Sequence, residues 1–213
     1  MRIPVAVALA SAVCLASGCG DTEAPQTREE TRPPLTAARL RELELTRDIP
    51  GLVGAACAEA RRLVRVRVVC PRLIPDIPLL RSEGLWGSMT FEGEARVWEI
   101  SFTNAGGFHG RPLKGVEHWI VGGGKTKIVE KWVLSDFVHE AKGDALLVRT
   151  VSARGRRVRI YRFPRYPAGG ANGSHWAALV EIGDEVVFAS LHGERYVDAA
   201  VEMAVDLAIR AER

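Results

Sequence analysis

The sharpest pattern of apolar and polar positions lies near the C-terminus, in the stretch His175-Trp-Ala-Ala-Leu-Val-Glu-Ile-Gly-Asp-Glu-Val-Val-Phe-Ala-Ser-Leu-His192. Two runs of strand-forming residues flank Gly183-Asp184, a pair suited to a two-residue hairpin turn. Such a turn sets the register, because paired residues then have numbers summing to 367. Ile182 meets Glu185, Val180 meets Val187, Ala178 meets Ala189 and Trp176 meets Leu191, on a face that is almost wholly apolar and should meet the core. The other face pairs Glu181 with Val186, Leu179 with Phe188, Ala177 with Ser190 and His175 with His192. The two histidines are therefore expected as direct cross-strand neighbours, about 5 Å apart at Cβ.

Period-two patterning recurs upstream. Residues 95–103 place Trp98, Ile100 and Phe102 on one face and Glu99, Ser101 and Thr103 on the other. Residues 116–121, 127–134, 145–152 and 158–163 read as further strands, with Gly122-Gly123-Gly124 as a flexible hairpin turn and Ala153-Arg154-Gly155 as another. Short, glycine-marked connections make neighbouring strands antiparallel. Helical spacing appears in residues 52–63, through Val53, Ala56, Cys57, Ala60 and Leu63, and in residues 197–211, through Val197, Val201, Ala204, Val205 and Ala208. Residues 36–45 are a further helix candidate, residues 63–69 alternate like a strand, and the proline-rich stretch from Cys70 to Pro78 must be extended loop or sheet edge. Helices at both ends of a run of strands predict an α+β domain: a twisted antiparallel β-sheet with an N-terminal and a C-terminal helix packed on one face.

The N-terminus has a different character. It reads MRIPVAVALASAVCLASGCG, with one positive charge at Arg2, an apolar run to about Leu15 and small residues before Cys19. A run this short falls below the roughly 20 apolar residues that a membrane span needs and describes an export signal. Ala16-Ser17-Gly18-Cys19 resembles a bacterial lipobox, with Leu15 one position further from the cysteine than the commonest pattern has it. The resemblance covers only these first twenty or so residues. It implies cleavage after residue 18, a lipid on Cys19 and attachment to the extracytoplasmic face of a bacterial membrane; a plain cleaved secretory signal is the alternative. Residues 19–35, with three prolines, many charges and little apolar material, are expected to be a flexible tether, and residues 36–213 a single domain.

Charge adds an exclusion. The chain carries 29 Lys and Arg against 26 Asp and Glu, and loss of residues 1–18 removes only Arg2. So even a balance argues against a nucleic-acid partner. With Cys14 in the signal and Cys19 in the lipobox, Cys57 and Cys70 remain, and an isolated pair in an oxidising compartment is read as a disulfide. Two cysteines alone do not fill a tetrahedral metal site.

Candidate chemistry is sparse. Residues 118–126, HWIVGGGKT, end like a phosphate-binding loop, but Trp119 stands where that motif needs glycine. Ser190 lacks the glycines of a nucleophile elbow, and no free cysteine remains in the expected mature chain. Seven arginines crowd residues 149–165; among them Arg157 and Arg159 share a strand face with Tyr161 and Phe163 and are candidates for holding an anion, although a solvated face in an arginine-rich chain is the plainer reading. His175 and His192, with Ser190 nearby, are candidates for binding a ligand or a transition metal. Catalytic zinc needs a third protein ligand, for which His109, His118, His139 or a carboxylate are available. The plainer reading there is a structural pair at the end of the sheet, partly exposed and hydrogen-bonded to Ser190 or backbone.

These observations favour a lipid-anchored envelope protein that binds an envelope protein, a cell-wall polymer or a small ligand and calls for no cofactor. A metal-assisted hydrolase using His175 and His192 is the alternative, and a purely structural lipoprotein a third.

Overall fold

The computed structural model describes residues 27–28, 32, 34–86, 96–104, 118–134, 145–163 and 175–213. The expected signal peptide, Cys19, His109 and His139 lie outside them. In chain order the elements are β1 (Thr27–Arg28), α1 (Ala37–Glu42), β2 (Leu45–Thr46), α2 (Gly51–Leu63), β3 (Ile74–Pro75), β4 (Leu79–Trp86), β5 (Val97–Asn104), β6 (His118–Lys125), α3 (Thr126–Leu134), β7 (Leu146–Ala153), β8 (Arg156–Arg162), β9 (His175–Ile182), β10 (Glu185–His192) and α4 (Val197–Ala211). The fold is α+β, as the patterning predicts.

One eight-stranded sheet runs in the order β1-β7-β8-β9-β10-β6-β5-β4. Every pairing in it is antiparallel except the two-residue contact of β1 with β7. Two meanders, β4 to β6 and β7 to β10, are thus joined through their last strands, β6 and β10. β2 and β3 form a separate small pair.

The β9–β10 hairpin has the register derived from its turn, with all eight pairs from Glu185–Ile182 to His192–His175 in place. Gly183 supplies the positive φ (63°) that the turn requires. Its place in the sheet differs from expectation. β10 also pairs with β6, so the hairpin sits in the middle of the sheet and does not close it. Both of its faces are consequently buried, which is why Leu179 and Phe188 on the supposed second face are as apolar as Val180 and Val187 on the first.

α4 packs on β9 and β10, and α2 on β4 and β5. Both contribute to one core with Trp98, Ile100, Phe102, Trp119, Val121, Ala178, Val180 and Leu191. The predicted stripe of α4 is buried, but so are Ala199, Ala200, Met203, Leu207 and even Glu202, because the helix is covered on its outer side as well. Glu202 forms an ion pair with Arg154 at 2.9 Å, reaching from the β7–β8 turn. Cys57 and Cys70 form the expected disulfide, with 5.6 Å between their Cα atoms. Closing a loop of this length stabilises the fold by roughly 3 kcal/mol in the chain-entropy model.

Three local expectations are corrected. Residues 127–134 are not a strand but most of helix α3: Ile128, Val129, Trp132 and Val133 recur at i, i+1, i+4 and i+5, a helical spacing that their β-branched composition disguised. Gly122-Gly123-Gly124 is not a turn but the second half of β6. A Cβ on Gly122 would stand 2.4 Å from the Phe188 ring and 2.7 Å from the Trp98 carbonyl oxygen, so this strand needs glycine for close approach. Residues 64–70 are irregular, with a bend at 65–66, and pair with no strand among the described residues; Arg67 offers its carbonyl to Trp98 Nε1 at 3.0 Å instead. The disulfide therefore pins α2 to a loop. Contacts also reach back into the expected tether, where Arg32 bonds Asp198 at 3.0 Å with its side chain almost fully buried.

Candidate functional site

The alternation of β5, β6, β9 and β10 divides their side chains between the α4 side of the sheet and the opposite side, which α3 covers in part. Ile120, Tyr161, Phe163, Ala177, Leu179, Val186, Phe188 and Val129 of α3 form a second core there. Embedded in this second face are polar groups. Glu99, Ser101, His175, Ser190 and His192 are each between 5 % and 7 % exposed. Burying such groups costs free energy unless each is hydrogen-bonded, so five of them on one face of a sheet mark it as more than packing.

His175 and His192 meet closely. Their rings lie 3.6 Å apart between centroids and are tilted by 52°. His175 Nδ1 and Ser190 Oγ share a hydrogen bond of 3.2 Å along the diagonal of the ladder. The Phe163 ring stands edge-on to His175 with centroids 6.4 Å apart, and the Phe163 amide donates to the His175 carbonyl at 2.9 Å. The sequence-derived trio thus comes together, with the bond to Ser190 in place, but buried at the ends of two central strands and not partly exposed at the sheet margin. Two imidazoles this close cannot both be charged without mutual repulsion, so the pair can hold one proton or offer lone pairs to a ligand.

The sheet also decides which other histidine belongs to this row. Trp119 pairs with Leu191, so the register carried one residue further sets His118 opposite His192, and Thr103 pairs with His118 on the next strand. His118, His192 and His175 therefore occupy one row across β6, β10 and β9. Spacing along the chain held no sign of this, because His118 lies 57 residues before His175. Among the described residues no three metal-binding side chains are gathered.

Glu99 and Ser101 were not singled out by the sequence. The signal was available: they fall on the polar half of the β5 alternation, while the strands beside β5 carry glycine or apolar residues at the paired positions Gly122 and Ile120. An acid facing such neighbours has to be accommodated by design of the site or by partners.

Arg159 shares its face with Tyr161, as expected, and its guanidinium lies 5.8 Å from the ring centroid. It is held by two carboxylates, Glu130 of α3 and Glu181 of β9, each at 2.8 Å. Burial pulls its pKa down, but the hydrogen bond to Glu130 and the nearby carboxylates outweigh this and leave it raised. A guanidinium between two carboxylates ties α3 to the sheet and has little charge left for an anion. Arg157 remains exposed beside it. Lys125, from the phosphate-loop-like stretch, ends β6 in ion pairs with Asp184 at 2.9 Å and Glu185 at 3.3 Å. An extended strand cannot wrap a phosphate, so the nucleotide reading ends there.

Set against models of protein families, curated protein sequences and solved structures, the chain matches none of them significantly.

Proposed function

We propose that the mature protein is a lipid-anchored domain on the extracytoplasmic face of a bacterial membrane that binds a ligand or partner of the envelope. The anchor rests on the lipobox-like Ala16-Ser17-Gly18-Cys19. The observation that carries the binding reading is the buried His175–His192–Ser190 cluster, set on the two innermost strands of the sheet where its geometry is held by hydrogen bonding on both sides. Polar groups fixed on rigid strands give a site whose donors and acceptors need no ordering when a ligand arrives.

The experiment has two arms. Replacing Cys19 by Ser should release the protein from membranes and remove the lipid mass; retention in the membrane fraction overturns the anchor. For binding, purified wild type and His175→Phe/His192→Phe protein are compared by thermal shift against soluble peptidoglycan fragments and divalent transition metals. Stabilisation of the wild type only, with both proteins folded by circular dichroism, supports the reading. Equal responses sink it.

A metal-assisted hydrolase is the second reading, and the alignment of His118 with His192 and His175 favours it. A third protein ligand beside His175 and His192 would suit zinc. Elemental analysis of the purified protein should then find near-stoichiometric metal, lost in His118→Ala.

A further inference from the structure

A second set of polar groups includes none of the histidines. Arg61 lies in the last turn of α2, Arg67 and Arg72 flank the disulfide cysteine, Arg210 lies in the last turn of α4 and Arg213 follows it. Together they line one cavity of about 300 Å³, walled by Val68, Val69 and Cys70. Five arginines from three separate segments line it. Among the described residues the only carboxylate paired with any of them is Asp206, 3.3 Å from Arg210 Nε. Arg210 Nη2 is buried and makes no hydrogen bond.

We propose that this cavity is an anion-binding site for a phosphate ester, taken in the planar, paired-bond fashion that guanidinium groups offer to tetrahedral oxyanions. The volume is at the lower end of small-molecule sites and suits a headgroup-sized group. Assembling five like charges around one paired carboxylate costs stability, and an incoming anion removes that cost. The strain falls on Arg210, whose pKa is lowered by burial first and then by Arg72 and Arg61, against the pull of Asp206. The walls are fixed before any ligand arrives: the Cys57–Cys70 disulfide holds the loop to α2, and the fully buried Trp98 holds the Arg67 carbonyl. The contrast with Arg159, filled by two carboxylates, is what distinguishes a site from an internal tie.

The ester can belong to a soluble molecule or to a lipid headgroup, and the test separates them. Purified protein carrying Cys19→Ser is titrated with inorganic phosphate and glycerol 3-phosphate by calorimetry, and sedimented with vesicles of phosphatidylglycerol or of phosphatidylcholine. Saturable binding of the soluble esters, or retention on phosphatidylglycerol alone, supports the site and names its source. Arg61→Gln/Arg72→Gln/Arg213→Gln, three exposed positions that leave the core intact, should weaken binding about tenfold or more. Arg65→Gln, exposed and outside the cavity, should not. Absence of binding to every probe, or equal loss in Arg65→Gln and the triple variant, overturns the proposal. It stands or falls without reference to the histidine cluster.

Discussion

On the α4 side of the sheet, Trp98, Ile100, Phe102, Trp119, Val121 and Leu191 close an apolar core against α2 and α4, with α2 tied to the following loop by a disulfide. On the α3 side the same strands, one residue out of phase, present Glu99, Ser101, Ser190, His175 and His192 among Leu179, Phe188 and Ile120. The first face has the composition that stability alone selects. The second accepts buried polar groups, and at Gly122 it leaves the space of a side chain to the Phe188 ring. One sheet thus separates two tasks through the two-residue period of its strands, with the core on one side and the candidate chemistry on the other.

The comparison is broken most forcefully on the apolar side. Trp98→Ala should destabilise the domain by about 3–5 kcal/mol, read from urea unfolding, because it empties a fully buried site and frees the Arg67 carbonyl. Next comes Glu202, the buried carboxylate of α4. Arg154 holds a left-handed φ of 49°, so Arg154→Asn keeps a residue that tolerates the turn while stripping Glu202 of its partner. A loss of about 3 kcal/mol is expected, and Glu202→Leu in the same chain should recover most of it. On the other face, Gly122→Ala should cost about 1–3 kcal/mol through its clash with Phe188, and Phe188→Leu should relieve part of that loss. If Gly122→Ala melts like wild type, the close approach of β6 to that ring is not needed.

The histidines should respond least. Replacing both His175 and His192 by Phe keeps ring-sized packing but leaves the buried Ser190 hydroxyl without its His175 bond, and is expected to cost about 1 kcal/mol. A loss as large as that of Trp98→Ala would make the pair a structural element and erase the contrast between the faces. Smallest of all is an alkaline effect. Burial raises the pKa of Tyr161 above its usual 10, chiefly opposed by Arg159. The unfolded chain then ionises first, so this contribution is present below pH 10 and lost as pH rises through the folded value. Tyr161→Phe should flatten the fall of stability above pH 10 while leaving neutral pH unchanged.

Much of the fold was legible because it depends on local periodicity. The β9–β10 register follows from Gly183-Asp184 alone, and with it the His175–His192 contact and the diagonal reach of Ser190. The α2 stripe of Val53, Cys57 and Ala60 and the division of β5 between Trp98 and Glu99 were equally readable. What misled was composition without period. Ile128, Val129, Trp132 and Val133 look like a strand by residue type, and three consecutive glycines look like a turn. The first is a helix by spacing, and the second is a strand because Phe188, 66 residues after Gly122, occupies the space of a side chain.

The arginines show the same division. Seven of them between residues 149 and 165 drew notice, yet Arg159 among them is spent on Glu130 and Glu181. The five that share a cavity are drawn from residues 61 to 213 and form no run at all. By itself the sequence determined the elements and the pairing within a hairpin, since these rest on periods of two and 3.6 residues and on turn chemistry acting between near neighbours. Only the tertiary structure decided that the hairpin is central, that its second face is buried, that His118 falls into line with His192 and which arginines converge. Those are contacts between residues tens to more than a hundred positions apart, and no local interaction encodes them; they follow from the one arrangement in which both apolar faces of the sheet find cover.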